Sequence, residues 1–311
     1  MPTLRRTVMP HAAHKPRPSE LRVAATGVLP SSATLAGGIL TLCLVLSGLV
    51  ACRQPPTTPS APVLVRLSGS TAMQSLLHDL AAAYSGLQPH VSFDFSAVGS
   101  TAGLEELRRG NADLALVARR LQPEEESEAE SRKRLLSYTV IAHDGIAVIV
   151  NASNPVGGLT LYDIRNIFEG RVARWELVGG VREDIVVVSR EEGSGTRSVF
   201  EELVMYGRRT TPTGLIMPGS KAVRNYVATH PEAIGYLSMG LLDSSVAAVA
   251  VDQVQPKRGT VEDGTYWISR PFLLVSHPEP NLEVAGFMQF ARSPAGQVIV
   301  RSLYGDARAG G

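Results

Sequence analysis

Residues Ser189–Phe200 read SREEGSGTRSVF and follow the apolar run Ile185-Val186-Val187-Val188. Hydroxyls and guanidinium groups set among glycines could attack a carbonyl, cradle a nucleotide or hold a naked anion. A nucleophile elbow needs G-x-S-x-G, whereas here Ser194 sits directly between Gly193 and Gly195, with no His or Asp marked out as its partner. A nucleotide-binding P-loop ends in G-K-[ST], and no lysine follows these glycines. The histidines, His11, His14, His78, His90, His143, His230 and His277, show no metal-ligand spacing, so neither a metal nor a cofactor is expected. That leaves an oxyanion, which Arg190 at the mouth of the turn could engage through paired N–H groups. Glu192 is placed to brace Arg190, and Arg197 falls in the first turn of the following helix. A surface ion-pair cluster would use the same three residues.

The turn can act only if a strand and a helix present it, and that arrangement occurs three times. Val63–Leu67 leads through SGST, with Ser70 and Thr71, into a predicted helix over Ala72–Tyr84 whose Met73, Leu76, Leu77, Leu80 and Tyr84 keep helical spacing. Val91–Val98 leads through GST, with Ser100 and Thr101, into a helix near Ala102–Arg109 closed by Gly110. Ile185–Val188 leads through Ser194, Gly195 and Thr196 into a helix faced by Val199, Phe200, Leu203 and Val204. Taken singly, each Ser or Thr is an ordinary helix cap. Three such turns at the carboxyl ends of strands would converge into a cavity rich in donors and poor in acceptors. Alternating strands and helices predict an α/β fold of mostly parallel sheets flanked by helices. The short apolar runs ADLALVA, DGIAVIVN, IGYLS and FLLVS supply further strands. PEEESEAESRKR reads as a solvated helix with Glu128–Arg132 and Glu130–Arg134 pairs.

At 311 residues and 44% apolar content the chain can bury a large core, and a net charge of +1 gives no reason to expect nucleic acid. A basic stretch precedes the uncharged run Leu35–Ala51, the pattern of an export signal rather than of a spanning helix, which needs about 17–25 apolar residues. The run ends Leu49-Val50-Ala51-Cys52, which resembles the lipobox of bacterial lipoproteins, so Cys52 is the expected lipidation site and Cys43 would be lost with the signal. The mature chain then has no disulfide and depends on its core. RQPPTTPSAP reads as a tether, giving a signal over 1–51, a lipidated cysteine and tether over 52–62, and a folded part from Val63.

SGST, VGSTAGLEELRRGNADLAL and SREEGSGTRSVFEEL together resemble the periplasmic phosphate-binding proteins of ABC-type importers, a likeness that LYDIRNIFEGRVARW, ending at Trp175, and AIGYLSMG extend over the mature chain. The resemblance implies a two-lobed, type II periplasmic-binding-protein fold, with lobe 1 over 63–143 and 237–311, lobe 2 over 144–236, crossings near His143 and Tyr236, and the ligand in the cleft between lobes. It implies inorganic phosphate held by Ser70, Thr71, Ser100, Thr101, Arg119, Arg190, Ser194, Gly195 and Thr196, with Glu192 and Arg197 in support. It implies ABC permease subunits as partners, a lipid-anchored monomer outside the cytoplasm, and no enzymatic activity. One departure stands out: some relatives present an aspartate where this chain has Arg119, and many have serine where it has Ala118. Arginine cannot accept the proton of hydrogen phosphate, which keeps another tetrahedral oxyanion, sulfate or molybdate, in view. A serine hydrolase using Ser194 and a surface sensor or adhesion protein on the same fold are the readings from other classes.

Overall fold

The computed structural model describes residues 61–126 and 136–307. The export signal, Cys52, the tether up to Ser60 and the pairs expected in the charged run lie outside the described residues.

Strand β1 (Val63–Gly69) pairs in parallel with β2 (Val91–Ser96) on one side and β3 (Leu114–Val117) on the other. Helix α1 (Gln74–Leu87) follows β1 and buries Leu76, Leu77, Leu80, Ala81 and Tyr84, the face its spacing predicts. Helix α2 (Ser100–Arg109) follows β2 and stops at Gly110, whose φ of 78° is a left-handed cap.

Strand β4 (Ser137–Asn151) is 15 residues long and changes partners midway. Up to Gly145 it runs antiparallel to β11 (Ser269–Ser276), and from Ile146 it runs antiparallel to β8 (Ala233–Ser238). Beyond this exchange lie β5 (Gly158–Leu159), α3 (Leu161–Phe168), β6 (Val186–Arg190), α4 (Gly195–Val199), which continues as a π-helical turn over Phe200–Val204, β7 (Leu215–Met217) and α5 (Ser220–Thr229). β6 pairs in parallel with both β7 and β8. β9 (Val246–Ala248) pairs with Ile149–Asn151 of β4, and β10 (Ala250–Val251) pairs with β5. The chain therefore stays with the second half of β4 through Val251, and we place its return there rather than near Tyr236. α6 (Arg258–Glu262) precedes β11, and α7 (Leu282–Arg292) and α8 (Pro294–Val300) close the first half.

The continuous order is β2-β1-β3-β11-β4-β8-β6-β7, with β9 also on β4. The expectation of mostly parallel sheets needs one correction: the flanking strands are parallel, but β4, β8, β9 and β11, around the exchange, pair antiparallel. Antiparallel strands let one segment serve both halves, because each half can lay its own partner against it. The core of the second half forms around Phe168, Phe200 and Tyr236, and the rings of the last two stack with centroids 4.0 Å apart and planes 6° apart. Trp175 is buried beside them and donates through Nε1 to the carbonyl of Glu232.

Candidate functional site

The three turns meet in the cleft between the halves, joined by a fourth. β7 is only three residues and partly exposed, but it leads through Gly219 and Ser220 into α5, repeating the strand–turn–helix pattern. MPGSKAV carried that signal in the sequence, though its strand is too short to stand out as an apolar run.

Each cleft hydroxyl accepts a hydrogen bond from a protein N–H. The backbone N–H of Ala72 donates to Ser70 Oγ at 3.3 Å, that of Ala118 to Ser100 Oγ at 3.1 Å and that of Arg197 to Ser194 Oγ at 3.3 Å. Guanidinium groups serve the rest. Arg190 donates to Ser220 Oγ at 2.8 Å and Thr71 Oγ1 at 3.1 Å, Arg119 to Thr101 Oγ1 at 3.2 Å, and Arg270 to Thr196 Oγ1 at 2.9 Å. Among the described residues, none of the seven hydroxyls donates to a protein acceptor. One lone pair of each is engaged and every hydroxyl proton remains for a guest.

The halves are closed on one another. Arg190 on β6 reaches Thr71 after β1, and the N–H of Thr101 lies 3.4 Å from the carbonyl of Gly193. Gly195 explains its own identity: a Cβ there would collide with Ser100 Oγ and lie 3.1 Å from the carbonyl of Ala118. Only glycine allows that approach. Gly99, with φ at 93°, likewise carries the chain from β2 into α2 against Gly193.

Every arginine at the cleft carries its own carboxylate. Arg190, 1% exposed, forms a two-pronged pair with Glu191 at 2.7 and 2.8 Å. This corrects the expectation for Glu192, which is exposed while its neighbour braces Arg190. Strand alternation would put Glu192 on the face of Arg190, but β6 ends at Arg190 and the chain turns there, so Glu191 is the one that folds back onto the guanidinium. Arg197 holds Glu201 at 2.8 Å and donates to the carbonyl of Arg190 at 3.0 Å, fixing the strand end. Arg119, 3% exposed, pairs with Glu125 through both terminal nitrogens at 2.7 Å, while its Nε is buried with no partner among the described residues. Burial pushes the Glu125 carboxyl up, but Arg119 and the N–H of Gln122 outweigh it and hold the group below the ordinary glutamate range. Arg270, 2% exposed, bonds Asp144 at 2.8 and 3.0 Å. Burial drives the Tyr236 phenol beneath Arg190 up to about 12, so it stays neutral while its oxygen shares a 2.8 Å bond with Ser189 Oγ.

Sequence reasoning named nine binding residues, and the structure gathers all of them around the cleft. Ser220, Glu191, Glu125, Arg270 and Asp144 were missed. Arg270 and Asp144 lie inside apolar strands, where only the burial of a charge betrays them. The arrangement can bind, orient and dehydrate an acceptor-rich guest. The described residues contain no cluster that could hold a metal ion. Ser194 Oγ faces the N–H of Arg197 rather than a base.

Residues 56–295 match the model of the PBP superfamily domain. The chain belongs to the PBP superfamily. Within it, the PstS-like proteins are its relatives. It is 36% identical to a putative phosphate ABC transporter substrate-binding protein with bound phosphate from Clostridium perfringens, covering 78% of this chain and 99% of that one with a TM-score of 0.74. An ABC-type phosphate transport receptor from Vibrio cholerae is 31% identical, covering 76% of this chain and 97% of its own with a TM-score of 0.63. The phosphate-binding protein PstS of Bacillus subtilis is 31% identical over 206 residues, 64% of this chain and 65% of that protein. The chain thus spans just under two thirds of the Bacillus relative.

Proposed function

We propose that the protein binds inorganic phosphate in this cleft, without covalent chemistry, and delivers it to the permease of an ABC-type importer. The observation that carries the reading is the set of seven hydroxyls, each engaged as an acceptor by an N–H and each left with a proton to give. A cation or a sugar needs acceptors, and an oxyanion needs donors. Pairing every arginine with a carboxylate keeps the cleft near electrical neutrality, so the guest is held by directed dipoles more than by net charge. The names of the relatives from Clostridium perfringens, Vibrio cholerae and Bacillus subtilis support phosphate as the oxyanion.

The nine residues expected from the sequence, with Ser220 added, would form the anion site. Arg119 would act through its Nε, which has no partner among the described residues, since its terminal nitrogens are spent on Glu125, Arg120 and Thr101. Among the described residues no helix is long and apolar enough to cross a membrane. A lipid on Cys52 would keep the protein, as a monomer, at the outer face of the membrane that holds the permease.

Titration calorimetry with phosphate should show one site per chain, lost or weakened at least about tenfold in Arg190→Ala, where a charged hydrogen-bond partner is removed. Competition by sulfate, arsenate and molybdate tests the choice of anion. Absence of heat with phosphate across neutral pH, or displacement of phosphate by equimolar sulfate, would overturn the assignment.

A further inference from the structure

Arg270 and Asp144 face each other across β11 and β4, one residue before β4 changes partners. Asp144 is fully buried and ties both sides of that exchange, taking Arg270 from β11 and the hydroxyl of Ser238, at 2.8 Å, from β8. The other terminal nitrogen of Arg270, Nη1, has two protons and spends both. One goes to the carbonyl of Ala118, after β3, at 3.1 Å, and the other to Thr196 Oγ1, after β6, at 2.9 Å. A single guanidinium therefore links the strand exchange, one wall of the cleft and a hydroxyl of the opposite wall.

We propose that Arg270 is a positioning residue for the bound anion: it fixes the Thr196 hydroxyl as a donor and ties that orientation to closure of the two halves. The Asp144 bond lies across a continuous ladder and survives opening, whereas the Thr196 bond spans the halves and forms only when they meet. By occupying a lone pair of Thr196 Oγ1, Arg270 turns the hydroxyl proton outward. Closure thus gains a charge-assisted bond and a correctly aimed donor in one step. The same nitrogen holds Ala118, whose N–H orients Ser100. One residue set back from the ligand governs a hydroxyl on each wall. The inference rests on the phosphate reading above.

A mutant cycle on the full chain tests it, with inorganic phosphate as the titrant and thermal melts taken without phosphate. Arg270→Lys keeps the charge beside Asp144 but cannot bridge Ala118 and Thr196 together, and it should weaken phosphate about tenfold or more. Thr196→Val should weaken phosphate by at least as much. The double variant should lose clearly less than the product of the two separate losses, any loss beyond Thr196→Val being the share that runs through Ala118 and Ser100, whereas Arg270→Lys combined with Ser70→Ala should show the full product. If Arg270→Lys does not fold, the charge-neutral pair Arg270→Gln with Asp144→Asn enters the same cycle. Parent-like affinity in the arginine variant, or a full multiplicative loss in the Thr196→Val background, overturns the proposal. A parent protein that takes up no phosphate instead overturns the ligand assignment, so the two failures are told apart by the first titration.

Discussion

Glu125 shows how a single residue can set the character of the site. It neutralises Arg119 through two 2.7 Å bonds and also accepts from the N–H of Gln122 at 2.9 Å. Its folded pKa is held below the ordinary glutamate value, against the upward push of burial, by Arg119 and the Gln122 N–H. A group whose folded pKa is depressed contributes stability above its unfolded pKa and loses it as pH falls through the folded value. Glu125→Gln should therefore lower neutral-pH stability by about 2 kcal/mol. It should also flatten the fall in melting temperature as pH drops below the ordinary glutamate range. Melts from pH 7 to pH 3 check both outcomes, and an unchanged acid slope would show that the pair contributes nothing to the pH dependence. The same variant leaves Arg119 with an uncompensated charge, so its anion binding should weaken more steeply with added salt than the parent's.

The strand–turn–helix element was legible wherever its strand was long enough to show an apolar run or an apolar alternation. β1, β2 and β6 announced their turns in that way, and β7, with three half-covered residues, did not. The helix faces were legible from spacing, although α1 begins at Gln74, two residues after the expected Ala72, because Ser70–Met73 form a turn of their own. What the sequence could not convey was which carboxylate meets which arginine. Glu191 and Glu192 differ only in the side of the chain they occupy, and Arg119–Glu125 and Arg270–Asp144 depend on how loops and strands lie in space. The turn after β6 also yields a sharp prediction. Gly195→Ala should leave the fold intact but reduce phosphate affinity by at least about a hundredfold, since the added methyl meets Ser100 Oγ and the carbonyl of Ala118 only when the halves close. Small-angle scattering with excess phosphate should show this variant remaining extended, and compaction equal to the parent's would refute the steric argument.

For the whole molecule, a ligand that binds only the closed form must stabilise it in proportion to ligand excess. At a thousandfold excess over Kd the gain is about 4 kcal/mol, or roughly 8–16 °C in melting temperature for a folded part of this size. A melting curve insensitive to phosphate would mean that the described fold does not engage it. At the same phosphate concentration the shift should fall to about a third or less in Gly195→Ala while the unliganded melting temperature stays close to the parent's, separating capture of the anion from integrity of the core.

The exchange of partners within β4 also bears on how such a molecule can be inherited. β4 pairs with β11 through Gly145 and with β8 from Ile146, so each half of the protein owns part of the same strand. The chain also crosses back beyond Val251, so no single cut in the sequence frees one half, and a cut between Gly145 and Ile146 leaves each with only its share of the strand. The halves cannot be traded between genes as modules, and an insertion at the centre of β4 would injure both at once. Recombination must pass on the pair entire, while new ligand preferences have to arise by substitution in the turns.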